Sequence, residues 1–380
     1  MVSFSNEADY DLDYERDYDT ANGKRAMSTE ISIDGTRFLI DGRPTYEGRS
    51  HRGHSIEGLL FNSRMVQAIF DDECPETRRL WHYPDTGNWN PDRNTDEFVT
   101  MLPEYRDHGL LAVTVGLQGG GSIYSPEVYD NYVNSAYRPD GSFKEDYFMR
   151  LRWVLDVADD CGMVVIVNYF YWKQAEKIPD DEVIFEITER VSEWLLETGY
   201  RNILVDVANE AGEHWGRDLF GPGRIHELIG VVQSVERDGR RLLAAASSGG
   251  GPSLAQGKWL ETEDFSAPHG NGLRPEELKE KIRRLRGMPE YRERPRPVLI
   301  NEDSVFLANL EAAVDRYASW GFYCQGYGSD YRDRMDWKER GREERWEDLS
   351  GYQTVPVNWG INTPIKRRFF DRLKEVTGGR

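Results

Sequence analysis

Cysteine is scarce in this 380-residue chain, and Cys74, Cys161 and Cys324 lie far apart and odd in number. That pattern excludes a disulfide framework and a cysteine-rich metal site. Lysine is scarce too, with 10 Lys against 38 Arg, and the formal net charge of −19 opposes nucleic acid and anionic membranes as partners. Acid excess with so few lysines suits a salt-rich cytoplasm or a GC-rich genome. No stretch approaches the roughly 18 uncharged apolar residues of a membrane span, and the first thirty residues hold no apolar run of signal-peptide type. The expectation is a soluble, cytoplasmic protein. The dinucleotide fingerprint is also missing: Gly119-Gly120-Gly121 and Gly249-Gly250-Gly251 follow apolar runs without the G-x-G-x-x-G spacing.

What is present is ample apolar material, 38% hydrophobic with 12% aromatic, enough for one large barrel or two ordinary domains. Residues 1–28 read as a disordered acidic tail. Acids occupy every odd position from Glu7 to Asp19, interleaved with Tyr10, Tyr14 and Tyr18. Residues 29–380 read as a single catalytic domain. Residues 31–44 alternate apolar and polar around Asp34-Gly35, a β-hairpin signal, and the hairpin is placed over the amino-terminal end of a barrel. Apolar runs at 45–49, 110–117, 163–170, 202–208, 241–247, 263–268, 297–301 and 320–325 predict eight strands. Helical patterns at 94–108, 145–161, 181–199, 223–238, 274–286, 306–319 and 363–376 fall between or after them. Asn94, with Glu97 three residues on, reads as a capping box. Gly109 and Gly162 read as helix-closing glycines. Eight strands alternating with helices predict an α/β fold of the (β/α)8 TIM-barrel type, with long loops at 50–93 and 326–362 after the first and last strands. A doubly wound open sheet is the competing architecture.

Two of these runs end alike. Ile203-Leu204-Val205-Asp206-Val207-Ala208 stops at Asn209-Glu210, and Pro297-Val298-Leu299-Ile300 stops at Asn301-Glu302. In the strand count these are the fourth and seventh, which face each other across the mouth of an eight-stranded barrel. Two carboxylates at strand ends on one face suit acid/base and nucleophilic chemistry, and in retaining glycoside hydrolysis they sit roughly 5–5.5 Å apart. A lone strand-end Glu is more simply an acid bonded to loop amides; the repeat favours function.

This arrangement resembles the large clan of retaining (β/α)8 glycosidases that includes cellulases, β-mannanases and β-galactosidases. Ile40-Asp41-Gly42-Arg43-Pro44 leading into a first strand is similar to the entry of such domains. So is the helix carrying Leu155-Asp156-Val157-Ala158, which feeds Gly162-Met163-Val164-Val165. The likeness covers about residues 31–376. It implies Glu210 as general acid/base, Glu302 as nucleophile, Asn209 as the partner of a sugar 2-hydroxyl, and His269 as the residue flanking the nucleophile. It further implies a carbohydrate substrate and no cofactor or metal. The chain departs from the clan in having no Trp at the end of the eighth strand, Gly321-Phe322-Tyr323-Cys324-Gln325-Gly326, where Tyr323 is the candidate contact. It also places Asp303 beside Glu302. Other candidate binders are Arg49, His51, Arg52 and His54 after the first strand, Gln118 after the second, and Asn168, Tyr171 and Trp172 after the third. Trp81, His82, Tyr83 and Trp89 in the long first loop could stack on sugar faces or pack as core. A transglycosylase with the same two Glu, a carbohydrate-binding pseudoenzyme, and a metal-dependent hydrolase on this fold are the alternative readings.

Overall fold

The computed structural model describes residues 29–120, 131–325, 349–353 and 355–379. The acidic tail and most of the segment 326–362 lie outside the described residues. Six strands form one parallel sheet: Leu243–Ala245, Ile203–Ala208, Val164–Phe170, Ala112–Gly116, Asn62–Arg64 and Gly321–Phe322, in that spatial order. Their ladders are in register along the strands, with Thr114 opposite Ile166 and Asn168 opposite Asp206. The ladder does not close on itself. Single parallel bridges carry the ring through the two remaining staves, pairing Ser248 with Pro268, Ser266 with Val298 and Leu299 with Ser319. The architecture is therefore a (β/α)8 barrel, tightly laddered over one part of its circumference and stitched by single bridges over the rest.

Alternate residues of each strand serve two cores, as the period of two requires. Leu60, Ala112, Val164, Ile166, Leu204, Ala245, Phe265, Ala267 and Leu299 fill the interior. Val113, Val115, Val165, Val167, Val205, Val207, Ala244, Val298 and Ile300 belong to the outer core against the helices. The hairpin forms as the pattern predicts, with Ile31–Asp34 antiparallel to Arg37–Ile40 and Gly35 at φ +58° in the turn. Ile31 and Phe38 pack into the interior cluster, and Phe38 meets Phe265 edge-on at 6.2 Å. The hairpin plugs the amino-terminal floor of the ring.

The first stave is not 45–49. It is Asn62–Arg64, continued backwards by the buried Leu59, Leu60 and Phe61. Residues 50–55 instead make a two-strand hairpin on the outside of the ring, against the helices Leu307–Asp315 and Pro364–Thr377. The seven helical patterns are all present, as Pro91–Asp107, Glu145–Asp160, Asp181–Glu197, Ile225–Ser234, Pro275–Gly287, Leu307–Asp315 and Pro364–Thr377. The first starts earlier than the capping box at Asn94 implied. Its cap is Asn90, whose side chain accepts from the Arg93 N–H, with Pro91 in the first turn. Asn94 is buried and donates to the Gln67 carbonyl. Gly109 and Gly162 do sit just beyond helix ends in the left-handed region, at φ +91° and +66°.

Because Phe38 packs in the interior cluster against Phe265 at the amino-terminal floor, Phe38→Ala should destabilise the fold by about 3–5 kcal/mol, the usual cost of an emptied aromatic core site. Urea unfolding measures this, and the geometry at the other mouth, read by histidine NMR, should stay unchanged in the folded variant.

Candidate active site

Glu210 and Glu302 both lie at the carboxyl mouth, and the barrel brings them together. One carboxylate oxygen of each, with a ring nitrogen of His269, lies within 4.8 Å of the others. Glu210 follows Ile203–Ala208 in left-handed backbone, φ +54°, a conformation disfavoured for a residue with a Cβ. Its main chain is fixed on both sides: the N–H donates to Ser247 Oγ at 3.0 Å, and the carbonyl accepts from Trp215 Nε1 at 3.1 Å. Its Oε1 meets His269 Nδ1 at 3.1 Å and the Gly250 N–H at 3.3 Å.

Glu302 is almost fully buried, and its carboxylate is gripped from two sides. Arg64 Nε pairs with Oε2 at 2.6 Å, and Asn271 Nδ2 donates to Oε1 at 2.5 Å. His269 Nδ1 stands 3.6 Å from Oε2. Arg64, itself buried at the end of the first stave, also donates from Nη2 to Asn209 Oδ1 at 2.6 Å. Its guanidinium lies 5.6 Å from the Tyr323 ring centroid. Burial disfavours the Arg64 charge, but Glu302, Tyr323, Asp206 and Glu210 more than offset this and hold its pKa above the ordinary value. One guanidinium thus ties the ends of the first, fourth and seventh staves.

Electrostatics divide the acids of the mouth. Burial opposes ionisation of Glu210. The hydrogen bond and charge of His269, the Gly250 N–H and Arg64 outweigh it, and the carboxyl is brought down to about 2. In the folded chain His269 lies nearer Glu210, and Asn301 donates to Asp206 Oδ2 at 3.0 Å. Asp303 turns away from the pair. It accepts from Trp320 Nε1 at 2.7 Å and from Asn309 Nδ2 at 3.0 Å. Burial pushes its pKa up to about 6, against those bonds, Ser304 and the charge of Lys281. A Cβ on Gly270 would lie 2.3 Å from Asp303 Oδ2, so only glycine fits between His269 and Asn271.

Solved structures share this fold. A protein of Bacteroides vulgatus described as a glycoside hydrolase superposes with a TM-score of 0.55 at 12% identity, over 93% of this chain and 62% of that one. A family 5 glycoside hydrolase from the same organism gives 0.50 at 12% identity, over 84% and 68%. The GH5-4 broad specificity endoglucanase of Clostridium longisporum gives 0.52 at 10% identity, over 88% and 99%. The chain shares the (β/α)8 barrel fold of these glycoside hydrolases. No family model matches the sequence, and no curated protein matches it. The chain spans less than two thirds of the first of these neighbours.

In this barrel, the other sequence candidates divide. Asn209, His269 and Tyr323 join the two carboxylates at the mouth. Arg49 and His51 do not, because the first stave was misplaced: His51 Nε2 pairs with Glu311 at 2.8 Å on the outer helix, and Arg49 lies against Gly378. Arg52 and His54 pair there with Glu311 and Asp315. Gln118 is spent on structure, donating to Ser135 Oγ at 2.9 Å and accepting from the Tyr171 N–H at 3.0 Å. Asn168 is buried within its strand and donates to the Asp206 carbonyl at 3.1 Å. Tyr171 and Trp172 lie on the loop after the third stave, and Trp172 meets His214 edge-on at 5.4 Å. Trp81, Tyr83 and Trp89 are core, packed with Phe70, Tyr132 and Val355. The sequence reading missed Arg64, Asn271 and Lys281. A charged residue ending the apolar run Leu59-Leu60-Phe61 was the available signal for Arg64, the same signal that revealed Glu210.

Glu210, His269 and Glu302 form a group of metal-binding size among the described residues. Arg64 already stands as the cation on Glu302, and a metal ion placed within ligand distance would repel it.

Asp303 carries a measurable pH dependence. Its folded value lies above its unfolded value of about 3.8, so the folded state binds the extra proton and stability falls as pH rises from about 4 through 6. Asp303→Asn removes this titration. The stability difference between wild type and variant, followed by urea unfolding, should shift against the wild type by roughly 3 kcal/mol across that window.

Proposed function

We propose that this protein is a retaining glycoside hydrolase acting on a β-linked oligo- or polysaccharide, with Glu302 as nucleophile and Glu210 as acid/base. The carrying observation is the approach of the two carboxylates within 4.8 Å. That approach fits the roughly 5–5.5 Å carboxyl separation of retaining enzymes better than the about 6.5–9.5 Å of inverting ones. The endoglucanase among the structural neighbours supports the substrate class.

The surroundings suit a division of labour. Arg64 and Asn271 hold and aim the Glu302 carboxylate, as attack on an anomeric carbon requires. Attack forms the Glu302–sugar bond while the glycosidic bond breaks and the leaving oxygen takes a proton from Glu210. Water then attacks the glycosyl-enzyme, Glu210 takes its proton, and Glu302 leaves. The proton for the first step belongs to the Glu210–His269 pair. On His269 it leaves Glu210 ionised; moved across the 3.1 Å contact it makes Glu210 the acid. Arg64 occupies Asn209 Oδ1, which leaves the amide N–H2 as the end of Asn209 that would meet a substrate hydroxyl.

Glu302→Gln should abolish turnover of every glycoside. Glu210→Gln should spare the first step for aryl glycosides whose leaving group needs no proton, and should flatten the basic limb of the pH–rate profile. Proton NMR of the first-formed product should show retention; an inverted anomer would sink the mechanism. Chelation with EDTA should leave the rate unchanged within error, whereas a metal-dependent hydrolysis would be lost.

A further inference from the structure

The helix Pro275–Gly287 follows the sixth stave and buries Leu278, Ile282 and Leu285 against the ring. Lys281 lies on that same inward face, 2% exposed. A lysine there costs desolvation unless its ammonium is well used. Its Nζ donates to two main-chain carbonyls, Gly249 at 3.0 Å and His269 at 2.6 Å.

Each of these carbonyls belongs to a peptide unit whose other end faces the catalytic pair. The Gly249 oxygen shares its peptide plane with the Gly250 N–H, which points at Glu210 Oε1 at 3.3 Å. The His269 oxygen shares its plane with the Gly270 N–H, which donates to the main-chain carbonyl of Glu302 at 2.8 Å. In a trans peptide the oxygen and the N–H point oppositely, so fixing one aims the other. A cation on the oxygen also polarises the unit and strengthens the N–H as a donor.

We infer that Lys281 is a positioning residue for the catalytic pair, holding the Gly249–Gly250 and His269–Gly270 peptides so that one donor meets Glu210 and the other anchors Glu302. This deepens the glycosidase reading and rests on it. The charged groups around the ammonium are Glu210 and Asp303 from the mouth and Arg284 from its own helix. Burial draws the lysine pKa down to about 7, against the pull of Glu210 and Asp303. The ammonium is therefore lost near neutrality, which gives the arrangement a pH signature.

The test compares Lys281→Met and Lys281→Arg with wild type. Lys281→Gln, which keeps N–H donors without charge, stands in if the methionine variant does not fold. Loss of the ammonium should lower kcat/KM, which reports the first step, about tenfold or more on a phenyl glycoside but less than about threefold on a dinitrophenyl glycoside, because only the former needs the proton from Glu210 in that step, while Arg64 and Asn271 still hold Glu302. KM should stay the same, and arginine should recover most of the loss. A second readout needs no turnover: nitrogen-15 NMR of labelled histidine, with His269→Gln giving the assignment. The His269 titration should move in Lys281→Met and return towards wild type in Lys281→Arg. Equal loss on both glycosides with an unmoved His269 titration would overturn the inference and leave Lys281 a packing residue. If the titration responds while wild type cleaves no glycoside, the positioning role stands and the hydrolase reading falls.

Discussion

The buried pair of Arg64 with Glu302 is the contact on which the mouth depends. Both groups lose their water, so their attraction stabilises the site only if the remaining donors and acceptors are satisfied. The structure meets most of that condition through shared partners, with Arg64 Nη1 the one guanidinium nitrogen left without a partner among the described residues. Arg64 spends its second arm on Asn209, and Glu302 takes its second donor from Asn271. The result is a cross-ring clasp: three staves separated in sequence meet at one guanidinium. Removing either charge would leave the other buried and alone, a larger loss than the pair's own contribution.

Around that clasp the peptide frame is arranged to leave no slack. Glu210 accepts a left-handed backbone that few side-chain-bearing residues adopt, held by Ser247 and Trp215. Gly270 is squeezed against Asp303, which Trp320 and Asn309 anchor in turn. Local strain of this kind persists where the surroundings over-determine it, and it clusters at working sites.

Much of the fold was legible because the strands are buried on both faces. Continuous apolar runs such as Val164-Val165-Ile166-Val167 and Ile203-Leu204-Val205 declare such strands without ambiguity. The first stave hid because its last three residues, Asn62, Ser63 and Arg64, are polar yet buried, each bound within the ring or at its mouth. That single misplacement sent Arg49 and His51 to the wrong end of the molecule. The carboxylate pair was legible from its repeated strand-end motif. The partners were not, because Arg64, Asn271 and Lys281 approach from three different staves and helices, and only closure of the ring puts them in contact. Gln118 and Asn168 stood at the right strand ends but face other loops and carbonyls, since position along a strand does not fix which neighbour a side chain serves.

The uneven stitching of the ring has a consequence for how the barrel gives under load. Glu210 hangs from the laddered arc, whereas Glu302 hangs from the arc joined by single bridges. The first carboxylate is therefore mounted on a continuous ladder, and the second on a stave tied to its neighbours by a pair of main-chain hydrogen bonds on each side, at Ser266 and at Ser319. Replacement loops grafted between the sixth and eighth staves would disturb catalytic spacing more than grafts elsewhere on the rim.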